Sequence, residues 1–105
     1  MKNQSKYNVI VSRQATHMLV SHAAFLAQVS PEAAERLTLD FEKTAKSLEI
    51  MPHRCPWLSG EYIPKNLYCY ILFEKRYLLI FQIQDNNVYF DYVVDCRQDY
   101  RWLIH

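Results

Sequence analysis

The 105-residue sequence contains a single glycine, Gly60. Phosphate-cradling loops and dinucleotide fingerprints need several glycines, because backbone must approach the phosphate closely. P-loop and Rossmann-type chemistry are therefore excluded. A large excess of one charge is also missing: 12 Lys and Arg stand against 11 Asp and Glu, a formal net charge of +1. A protein that relies on bulk attraction to phosphate is usually strongly basic. Any nucleic-acid contact must then be local, or made with help from another macromolecule. No apolar run approaches a membrane span. The opening "MKNQSKYNV" has no apolar stretch behind its lysines, so no secretory leader is expected and the chain reads as cytoplasmic. Paired cysteines are lacking too. Cys55, Cys69 and Cys96 are odd in number and scattered, which suits reduced thiols. Structural zinc usually takes two close ligand pairs. Only His53 and Cys55 form one here, so no metal or other cofactor is expected. His17 and His22 are five apart and do not share a helix face.

What is present is apolar sequence in two distinct rhythms. Half of the residues are hydrophobic, enough to bury a core in one domain spanning residues 1–105. Tyr7 to Val11 alternates as a short strand. Ser12 is placed to cap a helix running from about Arg13 to Val29, whose stripe is Ala15, Met18, Leu19, His22, Phe25, Leu26 and Val29. "VSPEAAERL" opens a second helix, with Ser30 as cap, Pro31 at the first helical position and Glu32 at the positive end of the dipole. Its stripe is Ala34, Leu37, Phe41, Ala45 and Leu48, and it ends before Pro52. The near-absence of a connection predicts an antiparallel helical hairpin.

Met51 to Asn66 is the one long irregular segment, and long loops of this kind tend to carry function. From Leu67 the period becomes two. "LYCYILFE", "YLLIFQIQ" and "VYFDYVVDC" read as three strands, turned at Lys75-Arg76 and at Asp85-Asn86-Asn87. The middle strand is apolar on both faces and suits a central position. The expected architecture is α+β, in the order β-αα-βββ, with the helical hairpin on one face of a mainly antiparallel sheet. Strict alternation puts Val88, Phe90, Tyr92, Val94 and Cys96 on the core face. It puts Tyr89, Asp91, Val93, Asp95 and Arg97 on an open face, with Asp95 and Arg97 as an exposed charged pair at its mouth.

Three stretches carry a family resemblance: "SPEAAERLTLDFEKTAKSLEIMPHRCP", with its Pro-x-Arg-x-Pro loop; the meander "YLLIFQIQDNNVYFDYVVD"; and the terminal "CRQDY". In order and spacing they resemble the RelE/ParE superfamily of small bacterial toxins from type II toxin–antitoxin modules, over nearly the whole chain. The resemblance implies a cytosolic toxin, of a class linked to plasmid stabilization and growth inhibition, held inactive by a cognate antitoxin. RelE-like members cleave mRNA at the ribosome without a metal. ParE-like members are associated with inhibition of DNA gyrase and lack the nuclease set. Cleavage by 2′-OH attack needs a base, cations for the phosphorane charge and an acid for the leaving oxygen. The family's basic positions map onto Arg54 and Arg97, with Tyr100 as the C-terminal hydroxyl. These three are the catalytic candidates, and Lys65, Lys75 and Arg76 are candidate phosphate or target contacts. Many relatives carry His where Asp95 stands, and Arg97 beside Asp95 would hold its carboxyl ionised and unfit as an acid.

That departure and the near-neutral charge favour a ParE-like binder over the RelE-like nuclease, which stays as the alternative. Each candidate also has a plainer role: Asp95–Arg97 as a surface ion pair, Lys75–Arg76 as a charged hairpin turn, and Trp57 and Trp102 as core lids. Tyr89 and Val93 on the open face, with the apolar terminus Trp102, Leu103 and Ile104, are the expected partner-binding surface, where an antitoxin segment would add as helix or strand. A homodimer or a toxin–antitoxin hetero-oligomer fits either activity.

Overall fold

Ser12 and Ser30 set the first half of the fold. The structure, a computed structural model, describes residues 6–97. Strand β1 (Asn8–Val11) passes through Ser12 into helix α1 (Arg13–Val29). The Ser12 hydroxyl accepts the Ala15 N–H at 2.9 Å. Ser30 serves both helices. Its N–H donates to the Leu26 carbonyl at 2.7 Å, and its hydroxyl accepts the Ala33 N–H at 3.2 Å to open helix α2 (Pro31–Ser47). A one-residue junction satisfying orphan groups on both sides leaves an antiparallel hairpin as the outcome. Glu32 in the first turn of α2 and Lys46 in its last complement the helix dipole.

The stripe of α2 buries Leu37, Phe41 and Leu48 as its spacing predicts. Phe41 sits edge-on between Phe73 at 5.8 Å and Phe90 at 5.9 Å, an aromatic contact that ties the helices to the sheet. On α1, Ala15, Met18, Leu19 and Leu26 pack into the core. Phe25 and Val29 do not: they are 63% and 80% exposed. Leu26 is the last α1 residue in the core, so the end of the helix has outrun the layer beneath it.

After a short 3-10 turn (Pro52–Arg54) come β2 (Cys69–Phe73), β3 (Tyr77–Gln84) and β4 (Asn87–Asp95). The sheet order is β1-β4-β3-β2, with β1 parallel to β4 and the other pairs antiparallel. The central β3 is buried without a break from Tyr77 to Phe81. Both helices lie on the face formed by Cys69, Phe73, Tyr77, Leu79, Phe81, Val88 and Phe90.

Two features differ from the alternating pattern. First, β4 carries a bulge. Phe81 pairs with Phe90 and Ile80 with Tyr92, so Asp91 has no opposite number. One extra residue reverses every later side chain. Val93 is therefore fully buried in the core under the helices, not on the opposite face, and Asp95 follows it inward at 6% exposure. Tyr92 and Val94 turn the other way. Second, that opposite face is not open. The long loop returns across it: Leu58 N–H donates to the Tyr68 carbonyl at 2.7 Å, and Trp57 bridges Cys69. Leu58 and Ile63 then close a second small core over Leu78, Ile80 and Val94, flanked by Tyr68, Tyr70 and Tyr92.

Candidate functional site

The inward turn of Asp95 builds a polar cluster at the end of β4. Arg97 holds the carboxylate three times: its N–H at 3.0 Å and Nε at 3.3 Å reach Oδ1, and Nη2 reaches Oδ2 at 3.0 Å. Arg76, from the β2–β3 turn, approaches the same Oδ2 with Nε at 3.9 Å. That Nε is buried with no hydrogen-bond partner among the described residues. Its guanidinium lies 5.3 Å from the Tyr77 ring centroid, and Nη2 donates to the Tyr77 hydroxyl at 3.2 Å. The Tyr77 ring tilts against the His22 ring at 5.1 Å. His22 Nε2 lies 3.0 Å from the Val93 carbonyl, a contact that makes this nitrogen the donor and fixes the tautomer.

Burial pushes the Asp95 carboxyl up, but the Arg97 hydrogen bonds and the charges of Arg97 and Arg76 outweigh it and hold the pKa below the usual value. Arg97 is in turn pushed up by its hydrogen bond and attraction to Asp95. Asp95 is thus an anchored carboxylate, not a proton donor at neutral pH. The exposed pair at the mouth of an open face becomes a buried carboxylate carrying an exposed arginine.

Arg54 lies elsewhere and is occupied. Its Nη1 donates to the carbonyls of Ile50 at 3.0 Å, Met51 at 3.1 Å and Ser47 at 3.4 Å, and Nη2 donates to the Ser47 hydroxyl at 3.2 Å. It clamps the end of α2, where carbonyls are left without helical partners. This end of α2 is tied to the start of β1, because the Tyr7 N–H donates to the Glu49 carbonyl at 2.8 Å. β1 begins opposite Asn87, at the start of β4, whereas Arg97 follows the end of β4. The two candidate arginines therefore stand at opposite ends of the sheet.

Of the remaining candidates, Lys75 is exposed at the tip of the β2–β3 turn, Arg76 joins the Asp95 cluster, and Lys65 is exposed on the long loop. Tyr89 is half-buried, and Val93 is withdrawn from any partner surface by the bulge. Tyr100, Trp102, Leu103 and Ile104 lie outside the described residues. The sequence reading missed Tyr77 as a site member and placed His22 in the apolar stripe of the first helix. The signal for Tyr77 was its position directly after Lys75-Arg76, at the start of β3. Burial pushes all three thiols up, so none is poised as a nucleophile. Among the described residues no group of three or more His, Cys, Asp or Glu could hold a metal ion.

The family model described as the ParE toxin of the type II toxin–antitoxin system parDE matches residues 9–100. The chain belongs to the ParE toxin family. It is a ParE-like toxin of a type II toxin–antitoxin module, and the RelE-like alternative is not favoured. A solved structure titled "Chromosomal ParDE TA system from P. aeruginosa" is similar in fold, with a TM-score of 0.69 at 13% identity, covering 88% of this chain and 98% of that one. Among curated proteins none is matched by sequence. For this ParE toxin, the helical hairpin on the four-stranded mixed sheet is thus the family's own arrangement. No helix among the described residues is long and apolar enough to cross a membrane.

Proposed function

We propose that this ParE toxin arrests growth by binding DNA gyrase in the cytoplasm, without cutting RNA, and that a cognate antitoxin neutralises it. The observation that carries this reading is the separation of Arg54 from Arg97 and the commitment of each to a neighbour. In-line cleavage needs cations, a base and an acid converging on one phosphate, within hydrogen-bond reach of the reacting atoms. Arg54 spends its donors on helix carbonyls, and Arg97 is held by Asp95. The anchored Asp95 replaces the acid that a nuclease would require. Near-neutral charge agrees with a protein target better than with an RNA backbone. The gyrase assignment rests on the known association of ParE-like members with that enzyme. The antitoxin is supported by family membership and by the similar structure, which is that of a toxin–antitoxin system.

The deciding experiment sets the purified chain against gyrase in a DNA supercoiling assay and against ribosome-bound mRNA in a cleavage assay. Supercoiling should fall in proportion to toxin, and the mRNA should stay intact. Intact supercoiling with cut mRNA would overturn the proposal in favour of the nuclease.

A further inference from the structure

The β4 bulge leaves a carboxylate without a counter-ion on the sheet face away from the helices. Phe81 and Ile83 of β3 face the helices, so Gln82 between them faces the other side. The Gln82 amide donates to Asp91 Oδ2 at 2.6 Å, which holds the Asp91 side chain on that side too. Oδ1 accepts no hydrogen bond among the described residues, and none of their cations forms an ion pair with Asp91. Asp91 is half-buried, and burial pushes its carboxyl up, so the charge is held against desolvation. An Asn at this position would accept the Gln82 amide without that penalty. Two tyrosines flank the carboxylate. Tyr92 is its neighbour in the strand, and the Tyr68 and Tyr92 rings lie 6.1 Å apart, tilted by 59°. Burial, with Tyr92 and Asp91 nearby, pushes the Tyr68 hydroxyl up to about 12, which keeps it a neutral donor. The second small core runs along the paired strands from Leu78 and Val94 to Ile80 and Tyr92, and Gln82, Tyr89 and Asp91 follow next toward the β3–β4 turn.

We propose that Asp91, Tyr68 and Tyr92 form a recognition site for an arginine side chain of a partner protein, whose guanidinium forks onto the Asp91 carboxylate and stacks against the tyrosine rings. Charge complementarity selects a cation, because the half-buried carboxylate has no counter-ion of its own. The surroundings select arginine over lysine. A guanidinium is planar, lies flat on aromatic faces, donates to a carboxylate as a fork and sheds its water more readily than an ammonium. A guanine base could also meet a carboxylate between rings, but its phosphate needs Lys or Arg, and the row Tyr68, Gln82, Tyr89, Asp91 and Tyr92 offers neither. The site is independent of which target the toxin inhibits.

The test titrates the full purified chain with N-acetyl-arginine amide while its backbone amide resonances are followed, with the lysine and norleucine amides as controls. Saturable shifts are expected at Tyr68, Gln82, Asp91 and Tyr92, and the arginine amide should bind several-fold more tightly than the lysine amide. Asp91→Asn keeps an acceptor for Gln82 and should fold at least as well as the parent, yet bind the arginine amide about tenfold or more weakly. A selection of random short peptides should enrich arginine on the parent chain and not on Asp91→Asn. The two amide titrations and the selection on the parent serve by themselves if the variant folds poorly. Absence of saturable shifts at those residues, equal binding of the lysine amide, no enrichment of arginine, or unchanged binding to folded Asp91→Asn would each overturn the proposal. So would guanosine monophosphate moving the same resonances at a lower concentration than the arginine amide.

Discussion

Among the described residues, five non-glycine residues adopt positive φ, Met51, Asn66, Glu74, Lys75 and Asp85, while Gly60 does not. The scarcity of glycine thus has a local cost, because a side chain in the left-handed region is disfavoured by about 1–2 kcal/mol. Met51 shows it most plainly. It sits at φ 53 and ψ 52 just past α2, where helices commonly end in glycine, and the residue is 65% exposed with little packing to lose. Met51→Gly should stabilise the fold by about 0.5–1 kcal/mol once the greater freedom of glycine in the unfolded chain is subtracted. Chemical denaturation measures this directly, and a lower midpoint in the variant would count against the strain. Asp91, the bulge residue, has a charge-based cost. Burial pushes its pKa up, only partly offset by the Gln82 amide, which donates to it at 2.6 Å. A carboxylate whose folded pKa is raised removes stability as pH climbs through the unfolded and then the folded value. Asp91→Asn should therefore be more stable than the parent at neutral pH, with the gain vanishing below the unfolded value of about 3.9. Melting curves at pH 7 and pH 3.5 separate that outcome from a gain independent of pH.

At the level of elements, the helices were legible and the last strand was not. Ser12, Ser30 and Pro31 mark the helix starts by local chemistry, and the bounds of α1 agree with the expected Arg13 to Val29. The three later strands follow from their period. What local pattern could not show is a one-residue bulge: Asp91 between Phe90 and Tyr92 looks like ordinary alternation, yet it sends Val93 and Asp95 inward. The long loop was legible as the one long irregular segment, but not as a cover for the second sheet face. That role depends on Leu58 and Ile63 meeting strands that lie more than ten residues away in sequence. Arg54 was visible as a conspicuous cation in a Pro-flanked loop, and the same cues suit phosphate binding or carbonyl capping. Its hydrogen bonds decide for capping. Arg54→Ala should lower stability by about 1 kcal/mol, since bonds from a charged donor to exposed carbonyls keep only part of their strength in water. Arg54→Lys should recover only a fraction, because one ammonium cannot span Ser47, Ile50 and Met51 as the guanidinium fork does. Equal stability of the alanine variant and the parent would refute the clamp.

On the scale of the whole molecule, the sheet is enclosed on both faces, by the helical hairpin on one side and by the long loop on the other. The exposed apolar side chains are scattered, among them Ile10, Val20, Leu39 and Leu72, and the end of β4 is where charge and aromatic rings meet. This changes how Arg97 should be tested. Arg97→Ala alone would strip the two side-chain hydrogen bonds from a buried carboxylate, leaving it the backbone N–H of residue 97 and Arg76 at 3.9 Å as its nearest cation. An uncompensated buried charge is strongly destabilising, so lost toxicity in that variant would report folding as much as function. The Asp95→Asn/Arg97→Gln pair removes both charges and keeps the shapes. The depressed pKa of Asp95 means that its ion pair contributes stability above the unfolded carboxylate value and loses it as pH falls through the folded one. The double variant should therefore melt somewhat below the parent at pH 7 and approach it in acid. If the exposed Arg97 guanidinium contacts the target, the double variant should be well folded at growth temperature and yet fail to arrest growth. Undiminished arrest by a folded double variant would remove the β4 end from the toxic surface.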